Sequence, residues 1–224
     1  MDSEFKDEWL KSFQGATLRL PAEFGNPKVI HMFERAFNFL GRNAFYVSVR
    51  GRILLGEEQV SMAEQHIYNS IEEMTKAIDR QIEAAKAVML DAGVSVMATY
   101  NKPAKLEAII ISPIQRRYLQ LLHKADELFM LVNTLMLHGE MAEREHSKRE
   151  LQIKHHMRTV PSTVRKITLG LRQRVAALQE KEAQKSAAEA QKSAAKPADA
   201  AEPQTDAAAV EAPVPTPALE LAAA

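Results

Sequence analysis

The sequence predicts a mostly α-helical protein with long amphipathic helices, one or two short β-strands and a disordered C-terminal tail. Apolar residues recur at helical spacing through residues 26–178, and prolines and glycines stand where helices begin and end. Residues 180–224 contain no aromatic residue and little that could be buried. We therefore divide the chain into an N-terminal arm (1–25), a helical domain (26–178) and an Ala/Pro-rich low-complexity tail (179–224).

The first helix of the domain has clear boundary residues. Asn26 is placed as the N-cap and Pro27 as the first helical residue, a position that tolerates proline. Apolar residues then recur at helical spacing as far as Leu40, and Gly41 is placed just past the end. The pattern predicts a helix over residues 27–40.

A short strand is predicted next, near residues 44–50. Apolar and polar side chains alternate there, with Phe45, Val47 and Val49 on one face and Tyr46, Ser48 and Arg50 on the other. An alternation of period two that includes β-branched residues is typical of a half-buried strand.

A long amphipathic helix follows, from Ser61 to about Asp91. Ser61 and Glu64 have the spacing of a capping box, and apolar residues then step by threes and fours. The spacing is heptad-like, which indicates packing along another helix of the same chain or of a second copy. We favour packing within one core.

The sharpest boundary in the sequence lies at residue 112. Residues 104–111 are rich in β-branched side chains and predict one strand. Ser112, Pro113 and Gln115 then combine an N-cap serine, a proline at the first helical position and the glutamine of a capping box. The helix that they open, over residues 113–138, is too apolar to stand alone and is expected to be central.

The last part of the domain is predicted as two helices. A polar helix covers about 141–158, and Pro161 is expected to interrupt it because proline removes a backbone donor and clashes with the preceding turn. A last helix begins near Ser162 and runs to Leu178. The tail beyond it offers mainly alanine as apolar surface, so it is expected to stay disordered.

Charge is distributed unevenly along a chain that is formally neutral. Residues 1–101 carry a net charge of −3, residues 102–174 a net charge of +7 and residues 175–224 a net charge of −4. Between Arg144 and Arg174 there are nine Lys or Arg and two acidic residues. This density suits contacts with phosphate, although a solvated helical face would have the same composition.

An enzyme is not expected. The chain has no cysteine, no glycine-rich phosphate loop, no nucleophile elbow and no H-E-x-x-H motif. His146 and Glu150 lie four residues apart but lack a third ligand, and His123 and Asp126 are expected to form a local hydrogen-bonded pair. We predict no cofactor, no metal and no small-molecule substrate.

A membrane partner is not expected either. The sequence has no run of about 18 apolar residues, and its N-terminus is acidic where a secretory signal would be basic. The expected location is the cytoplasm.

Two segments could supply the strand of a DNA-reading ribbon. A two-stranded ribbon can enter the major groove and bring side chains to the base edges. Our first candidates for DNA contacts are Ser48, Arg50 and Arg52, and our second candidates are Lys105, Arg116 and Arg117. Phosphate contacts are assigned to Arg149, Lys154 and Arg158. An edge strand with polar residues facing water is the alternative for either segment.

Several residues have the spacing of a known family: Phe-Leu-Gly-Arg at 39–42, Ser112-Pro113, Arg117-Tyr118-Leu119, Ala125-Asp126-x-Leu128, Thr134-Leu135 and Gly139. Over residues 26–178 the chain resembles the AcaB-like regulators encoded on integrative and conjugative elements and conjugative plasmids. The resemblance implies a dimeric transcriptional regulator with a ribbon-helix-helix type of DNA-binding unit, which controls genes of a mobile element. Helices in such units are normally shorter than 113–138.

The predicted function is therefore that of a DNA-binding transcriptional regulator of a mobile genetic element, acting as a homodimer on double-stranded DNA. The alternative is a helical, self-associating scaffold or granule-coating protein of the phasin kind, which would also have long amphipathic helices and an Ala/Lys/Pro tail. Salt separates the two, because only binding through phosphates weakens steeply as salt rises.

Overall fold

A computed structural model describes residues 9–10 and 12–194 of the chain. Two compact units are distinguished, Met1–Lys181 and Glu182–Ala224. The first contains the sheet and the hydrophobic core; the described part of the second, residues 182–194, is helical. None of the described helices has a stretch that is long and apolar enough to cross a membrane.

The first unit is mostly helical with a two-stranded antiparallel sheet, as the sequence predicts. In chain order the described elements are β1 (Leu18–Phe24), α1 (Pro27–Met32), a first π-helical segment (Phe33–Phe37), α2 (Asn38–Phe45), a second π-helical segment (Tyr46–Gly51), α3 (Arg52–Leu55), α4 (Glu57–Asp91), β2 (Ala104–Ile110), α5 (Pro113–Leu137) and α6 (Glu143–Ala194), the last of which continues past Lys181.

The two strands form a ribbon within a single chain. β1 pairs with β2 so that their central residues, Pro21 and Glu107, face each other. Each strand is followed after two residues by a helix with proline at its start, and each helix is capped by a side chain: Asn26 accepts from the Lys28 N–H at 2.8 Å, and Ser112 from the Gln115 N–H at 3.2 Å. Two similar strand–cap–helix units thus meet through their strands.

The ribbon corrects one prediction and confirms another. Residues 18–24 of the predicted N-terminal arm (1–25) belong to the fold, because they form β1, whose Ala22 and Phe24 are buried. The prediction of a strand over residues 104–111 is confirmed by β2. Its partner is β1 of the same chain, so a second copy is not needed to complete the ribbon.

The predicted strand near 44–50 is wrong, because the chain stays helical from Pro27 to Leu55. Gly41, placed past the end of the first helix, lies inside α2. The buried residues include Leu40, Ala44, Val47 and Gly51, which recur at helical spacing, whereas Val49 is 41% exposed. The alternation of apolar residues was therefore coincidental, and burial against the core selects the helix.

Helix α5 is central, as its composition predicts. Its buried residues include Tyr118, Leu121, Leu128 and Phe129, and it packs along α4 of the same chain. Where α5 crosses α2, a β-carbon added at Gly41 would lie 2.6 Å from the Gln115 side chain. Gln115 accepts from the Ile111 N–H at 3.0 Å instead of closing the predicted capping box with Ser112. A larger residue at position 41 would therefore displace the Gln115 amide from its present position.

Helix α6 continues through Pro161, so the predicted break between two helices is wrong. A proline at this position leaves the carbonyl of Met157 without its helical N–H partner. The hydroxyl of Tyr118, a fully buried residue of α5, donates to that carbonyl at 3.1 Å. The missing hydrogen bond is thus replaced from a neighbouring helix. The helix extends to Ala194, so residues 179–194 of the predicted disordered tail are helical, and the rest of that tail lies outside the described residues.

Candidate nucleic-acid interface

The solvent face of α6 carries a row of cations. Its opposite face is buried in the core through Ile153, Met157, Val160, Val164 and Leu171. Helical geometry then places five exposed basic residues along one side, namely Arg144, Lys148, Arg158, Arg165 and Lys166. We call these five residues the α6 stripe. It is about 33 Å long at 1.5 Å per residue, close to one turn of B-DNA.

Acidic residues do not neutralise this stripe. Within the described part of the chain, none of its five cations forms an ion pair. The nearby acids are used elsewhere, because Glu145 pairs with Arg149 at 2.8 Å and Glu150 pairs with Lys28 of α1. Residues 151–179 contain no Asp or Glu. The stripe is therefore a positive surface that no carboxylate of the described residues pairs with, although the exposed Leu151 lies between Lys148 and Arg158.

The three residues predicted to contact phosphate lie on or beside the stripe. Arg158 is exposed and belongs to it, whereas Lys154 is half-buried on its flank. Arg149 lines a groove of about 910 Å³ between α4 and α6, together with Arg80, Arg144 and Lys148. The groove widens the positive surface from α6 onto α4, and Arg80 was not singled out because it comes from the net acidic part of the sequence.

The residues first predicted to read DNA do not form a ribbon. Ser48 and Arg50 lie in the second π-helical segment, and Arg52 begins α3. Arg52 is also neutralised, because its guanidinium pairs with Glu57 at 3.2 Å and with Glu64 at 3.1 Å. The side-by-side arrangement expected from a strand is therefore absent from this segment.

The second predicted set lies at the observed ribbon and the helix that follows it. Lys105 is exposed on β2 opposite Glu23, while Arg116 and Arg117 are exposed in the first turns of α5. The Arg117 guanidinium lies 4.7 Å from the ring centre of Tyr68 in α4, which holds it against the helix pair. Arg116 and Arg117 thus lie together at the start of α5, whereas Lys105 lies at the other end of the ribbon, next to the Phe24–Ala104 pair whose Phe24 stacks on His123 of α5.

Sequence reasoning missed Arg19, which is exposed on β1 and pairs with Glu107 across the ribbon at 3.1 Å. The alternation in LRLPAEF could have indicated this strand, but Pro21 at its centre argues against a strand. The exposed face of the ribbon carries Arg19 and Lys105 against Glu23 and Glu107. Its formal charge is balanced, unlike that of the α6 stripe.

Histidines in the structure serve packing and hydrogen bonding. His146 Nε2 lies 2.8 Å from Asn133 Oδ1, and the Asn133 amide donates to the Tyr100 hydroxyl at 3.2 Å. His123 stacks on Phe24 instead of pairing with Asp126, so the predicted local pair is wrong. In the part of the chain that the structure describes, no group of three or more His, Asp or Glu could hold a metal ion.

The free energy of unfolding is expected to fall as the pH drops from about 7.5 to 5.5. Burial lowers the pKa of His156, and the neighbouring His155 lowers it further. Because the unfolded chain then binds the proton more tightly than the folded chain, protonation favours unfolding. His156 Nε2 faces the Gln81 amide at 3.3 Å and Nδ1 faces the Met74 sulfur at 3.3 Å, so the imidazolium would lack a strong acceptor.

Chemical denaturation at several pH values would measure this dependence. His156→Gln should flatten the profile, whereas His66→Gln, at an exposed histidine of α4, should leave its slope unchanged. An unchanged slope in His156→Gln would contradict the assignment. Protonation of His123 is also expected to favour unfolding, because burial lowers its pKa more than the Asp126 carboxylate raises it.

Comparisons with known proteins show which solved structure has a similar fold. No family model matches the sequence, and no curated protein matches it. Among solved structures, the chain is similar to the crystal structure of selenomethionine-containing AcaB from uropathogenic E. coli, with a TM-score of 0.69 and 18% sequence identity, over 74% of this chain and 86% of that chain. At this identity the likeness shows the fold alone. The chain therefore has an AcaB-like fold, as the sequence resemblance implies.

Proposed function

We propose that the chain is a regulator of mobile-element genes that binds double-stranded DNA through the α6 stripe. The observation that carries the proposal is the exposed row of five cations, about 33 Å long and free of ion pairs among the described residues. The regulatory role itself is supported by the AcaB-like fold and by the sequence resemblance to AcaB-like regulators.

The stripe has the properties that phosphate binding requires. Duplex DNA carries about one negative charge per 1.7 Å of its axis, so a row of this length faces many phosphates at once. Each neutralised phosphate releases condensed counterions, which makes the affinity depend on salt. Five contacts correspond to a slope of about −4.5 in a plot of log affinity against log salt concentration.

Replacing Arg158 with glutamine is expected to weaken duplex binding about fivefold near physiological salt and to reduce the salt slope by about one. The change removes one charge from an exposed position and should not alter folding. Fluorescence anisotropy with a labelled duplex at several salt concentrations measures both quantities. Lys76→Gln is the matched control, because Lys76 is exposed on α4 and already paired with Glu72 at 2.6 Å.

Two outcomes would count against the proposal. Duplex affinity that hardly changes with salt would exclude phosphate contacts as its main source. Equal losses in Arg158→Gln and Lys76→Gln would exclude the α6 stripe as the site. Self-association together with salt-tolerant binding to lipid or polymer would instead favour the granule-coating alternative.

Sequence reading is proposed for the ribbon and the start of α5. Lys105 is exposed on β2, Arg116 and Arg117 are exposed where α5 begins, and a two-stranded ribbon fits the width of the major groove. Arg149 and Lys154 would add phosphate contacts beside the stripe. We leave Ser48 and Arg52 out of the proposed interface, because they are not on a strand and Arg52 is already paired with two carboxylates.

We also propose that the protein acts as a homodimer on DNA. The sequence resemblance implies a dimer, and a second copy would present a second stripe to a second half-site. Since β1 and β2 already form the ribbon within one chain, dimer formation would change avidity rather than fold. Light scattering of the full chain measures the mass directly, and a monomer at DNA-binding concentrations would contradict this part of the proposal.

A further inference from the structure

A second positively charged groove lies on the first unit, lined by residues of the chain around Trp9, by α2 and the second π-helical segment, and by α6. Its volume is about 560 Å³, within the range of sites for small ligands. Three arginines, Arg42, Arg50 and Arg172, line it together with several aromatic side chains. The α6 stripe does not include any of these three arginines.

Three aromatic side chains of this groove, Trp9, Phe13 and Phe45, form one cluster. Tyr46 also lines the groove, and each of the four is half-buried. The ring centres of Phe13 and Phe45 are 5.1 Å apart, and those of Trp9 and Phe13 are 5.3 Å apart. Buried core rings would be covered on all sides, whereas these rings line an open groove. They therefore offer a stacking surface for another aromatic group.

The arginines add charge that no described carboxylate neutralises. Arg42, Arg50 and Arg172 are all exposed, and within the described residues none of them forms an ion pair. The Arg172 guanidinium lies 4.6 Å from the ring centre of Tyr46. Within the described residues the N–H donors of Arg172 make no hydrogen bond, so they remain available to an anion.

We propose that this groove binds an unpaired nucleotide, with the base against the aromatic cluster and the phosphate against the three arginines. Stacked rings beside cationic groups are the features that proteins use to hold single-stranded nucleic acid. A base inside a duplex is already stacked on its neighbours and cannot reach such a surface. The site therefore differs from the duplex surface on α6, and the inference does not rest on the proposed function.

The groove contains a built-in reporter, because Trp9 is the single tryptophan of the chain. We would follow its fluorescence in the full-length protein during titration with adenosine monophosphate, adenosine, inorganic phosphate, a single-stranded oligonucleotide and a blunt duplex. Saturable quenching by the monophosphate is expected, with weaker binding of adenosine and of phosphate alone. Binding of the oligonucleotide without the monophosphate would identify a strand as the source of the nucleotide.

Variants test the assignment of the residues. Arg172→Gln and Arg50→Gln should each weaken nucleotide binding roughly tenfold. Arg165→Gln, in the α6 stripe, should weaken duplex binding and leave nucleotide binding unchanged. Circular dichroism melting would verify that the variants fold, which is expected since all three side chains are exposed.

Three results would overturn the inference. The first is the absence of saturable quenching by both the monophosphate and the oligonucleotide. The second is equal affinity for adenosine and its monophosphate, since the arginines would then have no role. The third is an equal loss of nucleotide binding in Arg172→Gln and Arg165→Gln. Duplex binding that survives any of these results would leave the proposed function intact.

Discussion

Replacing Asp126 with alanine is expected to lower the free energy of unfolding by about 3 kcal/mol. The Asp126 carboxylate accepts from the Gly25 N–H at 2.9 Å and from the Asn26 N–H at 2.8 Å. These two donors lie in the partly buried connection between β1 and α1. Hydrogen bonds to a charged group contribute about 1.5–3 kcal/mol each, and alanine would leave both donors without their acceptor.

Chemical denaturation of the purified variants would measure this loss. Glu127→Ala is the matched control, because Glu127 is the next residue and makes an exposed ion pair with Lys86 at 2.7 Å. Such pairs contribute about 0–1 kcal/mol. Asp126→Asn should fall between the two variants, since its amide retains one acceptor oxygen. A loss below about 0.5 kcal/mol in Asp126→Ala would show that the β1–α1 connection is held by other contacts.

Local boundaries in this fold are predictable from sequence because the groups that set them are neighbours. Asn26 and Ser112 cap helices through N–H groups two or three residues away, and the following prolines fit the first helical position. The strand over residues 104–110 and the central helix that follows are predictable for the same reason. Each depends on side chains that lie within a few residues.

Features that depend on distant partners could not be predicted. The Asp126 carboxylate accepts hydrogen bonds from backbone N–H groups about a hundred residues earlier in the chain. The sequence does not indicate these distant donors, so it suggests a local pair with His123 instead. Residues 44–50 alternate like a strand, and only burial of Ala44 and Val47 against the core selects the helix. In both cases tertiary contacts override a local pattern.

The concentration of positive charge in the candidate interface is predictable from the sequence. The placement of these charges on one face of a single helix is not. The count of Lys and Arg indicates a phosphate-binding region, whereas the α6 stripe exists only if α6 continues through residue 161. A break there would place Arg144 and Arg158 on one helix and Arg165 and Lys166 on another. The groove lined by Trp9, Arg50 and Arg172 was missed because Trp9 and Arg172 are far apart in sequence. Only folding brings them to Arg50.

The hydrogen bond that supports α6 at Pro161 is expected to contribute strongly to the free energy of unfolding. Tyr118→Phe is expected to lower the free energy of unfolding by about 2 kcal/mol, because it leaves the buried Met157 carbonyl without a donor. Burial raises the pKa of Tyr118 far above its ordinary value, so the hydroxyl stays protonated and able to donate. The loss arises only because Pro161 cannot donate to the same carbonyl.

A double-mutant cycle with Pro161→Ala would measure how far the cost of Tyr118→Phe depends on the proline. The alanine restores the helical N–H, so Tyr118→Phe should cost less in that background by about 1–2 kcal/mol. Tyr68→Phe, a half-buried tyrosine on α4, serves as the control for loss of a hydroxyl and should cost less than about 0.5 kcal/mol in either background. Equal costs of Tyr118→Phe with and without the Pro161→Ala substitution would mean that the contribution of the hydroxyl to stability does not depend on Pro161. A smaller cost in the Pro161→Ala background would mean that one hydroxyl of α5 compensates for the proline in α6, the single helix that carries the α6 stripe.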